Sequence, residues 1–94
     1  MTHHRQSIST ESVLELLEEM MQQQRDKCLT IARRLNPRLT PDDLMNPFDW
    51  PEVNTNPQFC WEDGLLAGLQ SASAAISARY QRATDVAPQE PSVD

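Results

Sequence analysis

The chain holds two cysteines, two histidines, two glycines and only 5% aromatic residues, and each scarcity removes a class of molecule. Cys28 and Cys60 lie far apart with no CxxC between them, so neither a disulfide framework nor a zinc site is encoded, and free thiols in a reducing compartment are expected. The histidines are His3 and His4, at the N-terminus. A metal site in a helical bundle typically draws on Glu-x-x-His, and nucleophilic triads need a histidine base within the fold. No metal, cofactor or catalytic residue is therefore assigned, and His3 and His4 read as part of a flexible end. With so little glycine there is no phosphate-cradling loop, and neither a serine nucleophile elbow nor a nucleic-acid motif is found. No apolar run reaches the ~18 residues of a membrane span. Residues 1–5 lead into polar serines rather than a signal-peptide apolar core. The expectation is a soluble, cytoplasmic protein. Eight basic side chains against fourteen carboxylates leave a net charge of −6, which disfavours nucleic acid or an anionic membrane as partner.

What the chain does have is uninterrupted helix-forming sequence. From Thr10 to Leu35 neither proline nor glycine occurs, and Leu, Glu, Met, Gln and Arg dominate. Leu14, Leu17, Met21, Gln24, Cys28, Ile31 and Leu35 recur in alternating steps of three and four, the seam of a helix that packs lengthwise on another. Val13, Leu16, Met20 and Ala32 widen that stripe to the breadth a bundle helix buries. Gln24 reads either as a polar layer that fixes register or, the reading preferred for so wide a stripe, as a residue at the edge of the interface. A second helix is expected from Asn56-Pro57, an N-cap followed by proline at the first helical position, to about Ala83. Its apolar face reads as Leu65, Leu69, Ala72, Ile76 and Tyr80, with Phe59 or Cys60 extending it. Beside it Gly64, Gly68 and Ala72 repeat every four residues. Such a row is either a groove for close helix packing or simply part of an Ala/Ser-rich helix. Each exposed mid-helix glycine costs about 1 kcal/mol relative to alanine.

Between the helices, over 36–56, Asn36-Pro37, Asn46-Pro47 and Asn56-Pro57 recur every ten residues. The period is too short for a solenoid repeat, so the three pairs read as successive cap or turn signals. Thr40-Pro41-Asp42-Asp43-Leu44 predicts one short helical turn with a threonine cap. Leu39, Leu44, Met45, Phe48, Trp50 and Val53 supply enough apolar surface to fold this connection across the end of the bundle. Residues 84–94, with two prolines and no large apolar side chain except valine, predict a disordered tail, and 1–9 a flexible lead-in.

Acids open and bases close each helix: Glu11, Glu15, Glu18 and Glu19 against Arg25, Lys27, Arg33 and Arg34, then Glu62 and Asp63 against Arg79 and Arg82. This matches both macrodipoles and favours an antiparallel hairpin. Arg33 and Arg34 read as solvated end charges and Cys60 as a packing residue. Asp42, Asp43, Asp49 and Glu52 lack the spacing and glycine of a calcium loop.

The resulting expectation is an all-α antiparallel hairpin that self-associates as a dimeric four-helix bundle, because two amphipathic helices of this size make a poor core alone. The expected role is that of a small interaction, adaptor or chaperone-like protein rather than an enzyme. Its packing surface would use Leu14, Leu17, Met21, Cys28, Ile31, Leu35, Gly64, Gly68, Ala72 and Ile76, and Phe48 and Trp50 are the candidate contacts for another protein. The alternative is a helical enzyme or ligand-binding protein with its site between helices, where Arg25, Lys27, Arg79 and Arg82 would converge on an acid. A buried Arg25 or Arg79 aimed into a pocket would favour that alternative.

Overall fold

The computed structural model describes residues 7–86, and the described residues contain helices, turns and no strand. Helix α1 spans Thr10–Leu35, α2 is the single turn Pro51–Asn54, and α3 spans Pro57–Val86; two 3-10 turns, Asp43–Met45 and Pro47–Asp49, precede α2. The long helices pack against each other as an antiparallel hairpin, with Gln24 bonded to Glu62 near the connection and Glu11 to Tyr80 at the other end. His3 and His4 lie outside the described residues, as does the tail beyond Val86.

Local chemistry explains each boundary. Ser9 caps α1, its hydroxyl accepting the Ser12 amide at 3.1 Å. At the other end Pro37 forces the preceding residue out of the helical region, and Asn36 is extended with φ −149° and ψ 99°. Asn56 caps α3 through its side-chain oxygen, which accepts the Phe59 amide at 2.8 Å. In the connection Thr40 and Asp43 cap each other: the Asp43 carboxylate accepts the Thr40 amide at 2.8 Å, and the Thr40 hydroxyl accepts the Asp43 amide at 3.4 Å. The expected short turn is thus present, as 3-10 helix. Helix α3 continues past the expected end at Ala83 because the first breaker after Gly68 is Pro88, so residues 84–86 are helical rather than part of a disordered tail.

The core is concentrated where the connection folds over the hairpin. Cys28, Ile31 and Ala32 of α1 meet Leu39, Val53 and Phe59, and Leu44 and Trp50 pack against this cluster. Burying a large aliphatic or aromatic side chain of this kind contributes about 1.5–3 kcal/mol. Toward the free end, Leu14 and Leu17 are half-buried, and Leu35, beyond the cluster, is exposed.

On α3 the inner face differs from expectation. Leu65 is 45% exposed and Ala72 is exposed. Leu69, Ile76 and Tyr80 face inward as expected, and with Phe59, Glu62, Leu66 and Ser73 they complete the inner row in steps of three and four. The helix is apolar or small nearly all round, so its own periodicity chooses no face. Anchoring at Phe59 and Glu62 does.

Candidate functional site

Gln24 occupies the seam as a buried polar residue rather than an edge residue. Its amide donates to the Glu62 carbonyl at 2.9 Å and to the Glu62 carboxylate at 2.7 Å. Lys27 approaches the same carboxylate at 3.9 Å. A buried amide paired in this way sets which residues of the two helices stand level, the role of polar seam positions in coiled coils. At the free end the Tyr80 hydroxyl donates to Glu11, which holds that carboxyl below its ordinary range and pushes the tyrosine up.

With the register set, the hairpin has two unlike faces. At about 100° per residue, Leu16 and Met20 lie to one side of the α1 seam. Because the helices are antiparallel, Trp61, Leu65, Gly68 and Ala72 lie to the same side of the α3 seam. Leu16 is 55% exposed, Met20 41%, Trp61 69% and Leu65 45%. These four large apolar side chains therefore form an uncovered face rather than scattered surface residues. A Cβ built on Gly64 or Gly68 would meet nothing within 4 Å. Within the protomer nothing packs on the small-residue row, so no contact there offsets the helical penalty of the two glycines.

The opposite face holds a cleft of about 600 Å³ between the long helices and the connection, lined among others by Arg25, Asp26, Cys28, Asp42, Met45 and Asp63. Cys28 is buried at its base. Burial, reinforced by the Asp63 and Glu62 carboxylates, pushes its thiol from 9.0 up to about 11, the opposite of what a nucleophilic cysteine needs. Burial also raises the Asp63 carboxyl. Arg25 is turned along its own helix, donating to Gln22 at 3.3 Å and lying 4.0 Å from Glu18.

Within the protomer the four bases named for an acid-binding site do not converge. Lys27 pairs with Glu62 near the connection. Arg79 is exposed on a shallow groove at the free end, beside Thr10 and Tyr80. Neither Arg25 nor Arg79 is buried. Arg33 is not simply solvated: its guanidinium donates to the Leu39 carbonyl at 2.8 Å and helps tie down the connection. Cys60, expected as packing, is exposed, with its thiol 3.1 Å from the Asn54 carbonyl. Two of the four acids of the connection are spent locally, Asp43 on Thr40 and Glu52 on Asn36. Among the described residues no group of three or more His, Cys, Asp or Glu side chains gathers.

Phe48 and Trp50, paired in the sequence reading, part company. Phe48 is 81% exposed and Met45, in the preceding turn, 77%. Trp50 is half-buried against the core. The exposed Trp61 carries a signal that periodicity could have found, since Trp61, Leu65, Gly68 and Ala72 themselves step by four, three and four. No helix of the described chain is long and apolar enough to cross a membrane. No protein-family model, curated protein or solved structure matches this chain.

Proposed function

We propose that this chain is a small interaction protein of adaptor or chaperone-like type that self-associates by helix packing, as a homodimeric four-helix bundle. One observation carries the reading: Leu16, Met20, Trp61 and Leu65 stand exposed along one face of a hairpin whose buried cluster gathers at one end. A monomer with that face in water leaves four large apolar side chains exposed side by side, and grouped rather than scattered exposed apolar residues mark interaction sites. Two unpaired cysteines support a reducing, cytoplasmic setting. Phe48 and Met45 offer a second apolar contact, on the connection, for another protein.

Size-exclusion chromatography with light scattering at micromolar concentration tests the self-association. A mass of two chains is expected. A cooperatively melting monomer of 10.7 kDa overturns the reading. For the connection, Phe48→Ala should change stability by no more than about 0.5 kcal/mol, as exposed substitutions do. Trp50→Ala should cost about 2–3 kcal/mol, because that ring lies on the core. If Phe48→Ala destabilises as strongly as Trp50→Ala, Phe48 is a packing residue and not a partner contact.

A second reading, a ligand-binding protein or enzyme with its site between helices, rests on the cleft beside Cys28. Its three carboxylates and single arginine suit a cationic ligand better than the acid suggested by the sequence. A small cationic metabolite that raises the melting temperature in wild type but not in Asp63→Asn would favour it.

A further inference from the structure

The uncovered face also specifies how a second copy would sit, an inference that rests on the self-association just proposed. The Gln24–Glu62 and Glu11–Tyr80 contacts set the register so that Met20 stands level with Gly68, and Leu16 with Ala72. At these two levels the α1 side of the face carries large side chains and the α3 side small ones; toward the connection the order reverses, with Leu65 and Trp61 of α3 level with Gln23 and Lys27 of α1. Two arrangements make a four-helix bundle in which every neighbouring pair is antiparallel. If the twofold axis crosses the helices, α1 meets α1 and α3 meets α3. With that axis at the level of Met20 and Gly68, Leu16 and Met20 crowd their counterparts while Gly68 and Ala72 face theirs across a gap. If the axis runs along the helices, each α1 lies over the partner's α3 with levels preserved. Large residues then fall on small ones, the alternation that fills a core without voids or overpacking.

We infer that a second copy of this chain covers the face with the twofold axis along the bundle, so that Leu16 and Met20 of one protomer seat over Ala72 and Gly68 of the other. The area suffices. Packed along the whole hairpin, about 40 Å long and two helices or about 20 Å wide, a second copy covers about 800 Å² per protomer, the amount a standard stable interface buries on each side, with the apolar residues in its middle. The helix directions agree as well, each α1 lying antiparallel to the partner α3 with their macrodipoles opposed. The row contributed by α1 is uncharged from Val13 to Met20 except for Glu19 at its outer edge, so no carboxylate is trapped in the middle of the contact.

Cross-linking between singly labelled chains decides the arrangement. In a Cys60→Ser background, Met20→Cys and Gly68→Cys are made separately, checked for helix content, mixed to allow subunit exchange, and oxidised. The mixture should yield a two-chain disulfide band, and each variant alone much less. Strong self-linking of each variant with no gain on mixing would overturn the inference in favour of the crossed axis while leaving the dimer intact. A two-chain mass by light scattering with no cross-link in any sample would place the interface elsewhere. A monomeric mass would remove both the inference and the reading beneath it. As an independent readout, Gly68→Leu fills the position over which Met20 is placed. It should weaken dimerisation about tenfold or more at unchanged helix content; dimerisation as tight as wild type would show that the row faces solvent.

Discussion

The two ends of the hairpin are made from the same two helices yet differ in what holds them. At the connection end three elements converge, and Leu39, Val53 and Phe59 are almost fully enclosed. At the free end α1 and α3 have only each other, and Leu14, Leu17, Ile76 and Tyr80 are half-buried. Two amphipathic helices can each shield one face, so enclosure needs a third body. The connection is that body at one end. Over the long exposed face the third body is absent from the protomer, and this contrast makes the hairpin read as half of an assembly.

The largest effect should come from the connection end. Phe59→Ala removes a ring that is 2% exposed and should cost about 3–5 kcal/mol, whereas Ile76→Ala at the free end should cost roughly half that. Thermal or urea unfolding followed by circular dichroism measures both. Equal losses would mean that the free end is as enclosed as the other, which the protomer alone does not provide.

Next is the buried thiol. Cys28 titrates near 11 when folded, against 9.0 ordinarily, so the native state holds its proton more tightly than the unfolded chain. The associated stability is complete below about pH 9 and is lost as pH rises through about 11, on the order of 2 kcal/mol. Cys28→Ala should lower stability near neutral pH yet flatten the alkaline loss. Thiol titration under native conditions should find Cys60 reacting at once and Cys28 only on unfolding. Fast reaction of both thiols would show that the connection opens readily.

The smallest effect sharpens the comparison at the junction between the two ends. Gln24→Leu deprives the Glu62 carboxylate, whose side chain is only 17% exposed, of its closest donor and should cost about 1–2 kcal/mol. Adding Glu62→Leu should recover most of the loss, since a well-packed apolar pair often matches a polar one. If the double variant instead populates several species in exchange, visible as multiplied amide resonances, the pair sets register more than it stabilises.

How much of this was legible in the residues varies along the chain. Both long helices, the α3 cap at Asn56, the short turn capped by Thr40 and the stop at Asn36-Pro37 could be read directly. So could the α1 seam, because its apolar positions contrast with charged ones on the other side. The α3 face could not. Leucine, alanine and glycine surround that helix, and a one-residue rotation that exchanges Leu65 for Leu66 and Ala72 for Ser73 leaves its local pattern nearly as good. The burial of Cys28 follows from its place in the α1 seam, whereas the exposure of Cys60 was hidden, since it too lies beside apolar neighbours. Phe48 and Trp50 look equivalent between their prolines, yet one is exposed and the other packed.

The dividing line is the range of the forces involved. Caps, prolines and helix propensities act within four residues, so the chain's own order specified where helices begin and end and that they pair antiparallel. Rotation of α3, burial of Gln24, exposure of Trp61 and the split between Phe48 and Trp50 depend on partners far away in sequence, such as Glu62, 38 residues from Gln24. Those choices were made by packing, because an apolar side chain is indifferent to which surface covers it until the shape of a particular neighbour and the demands of a buried hydrogen bond select one.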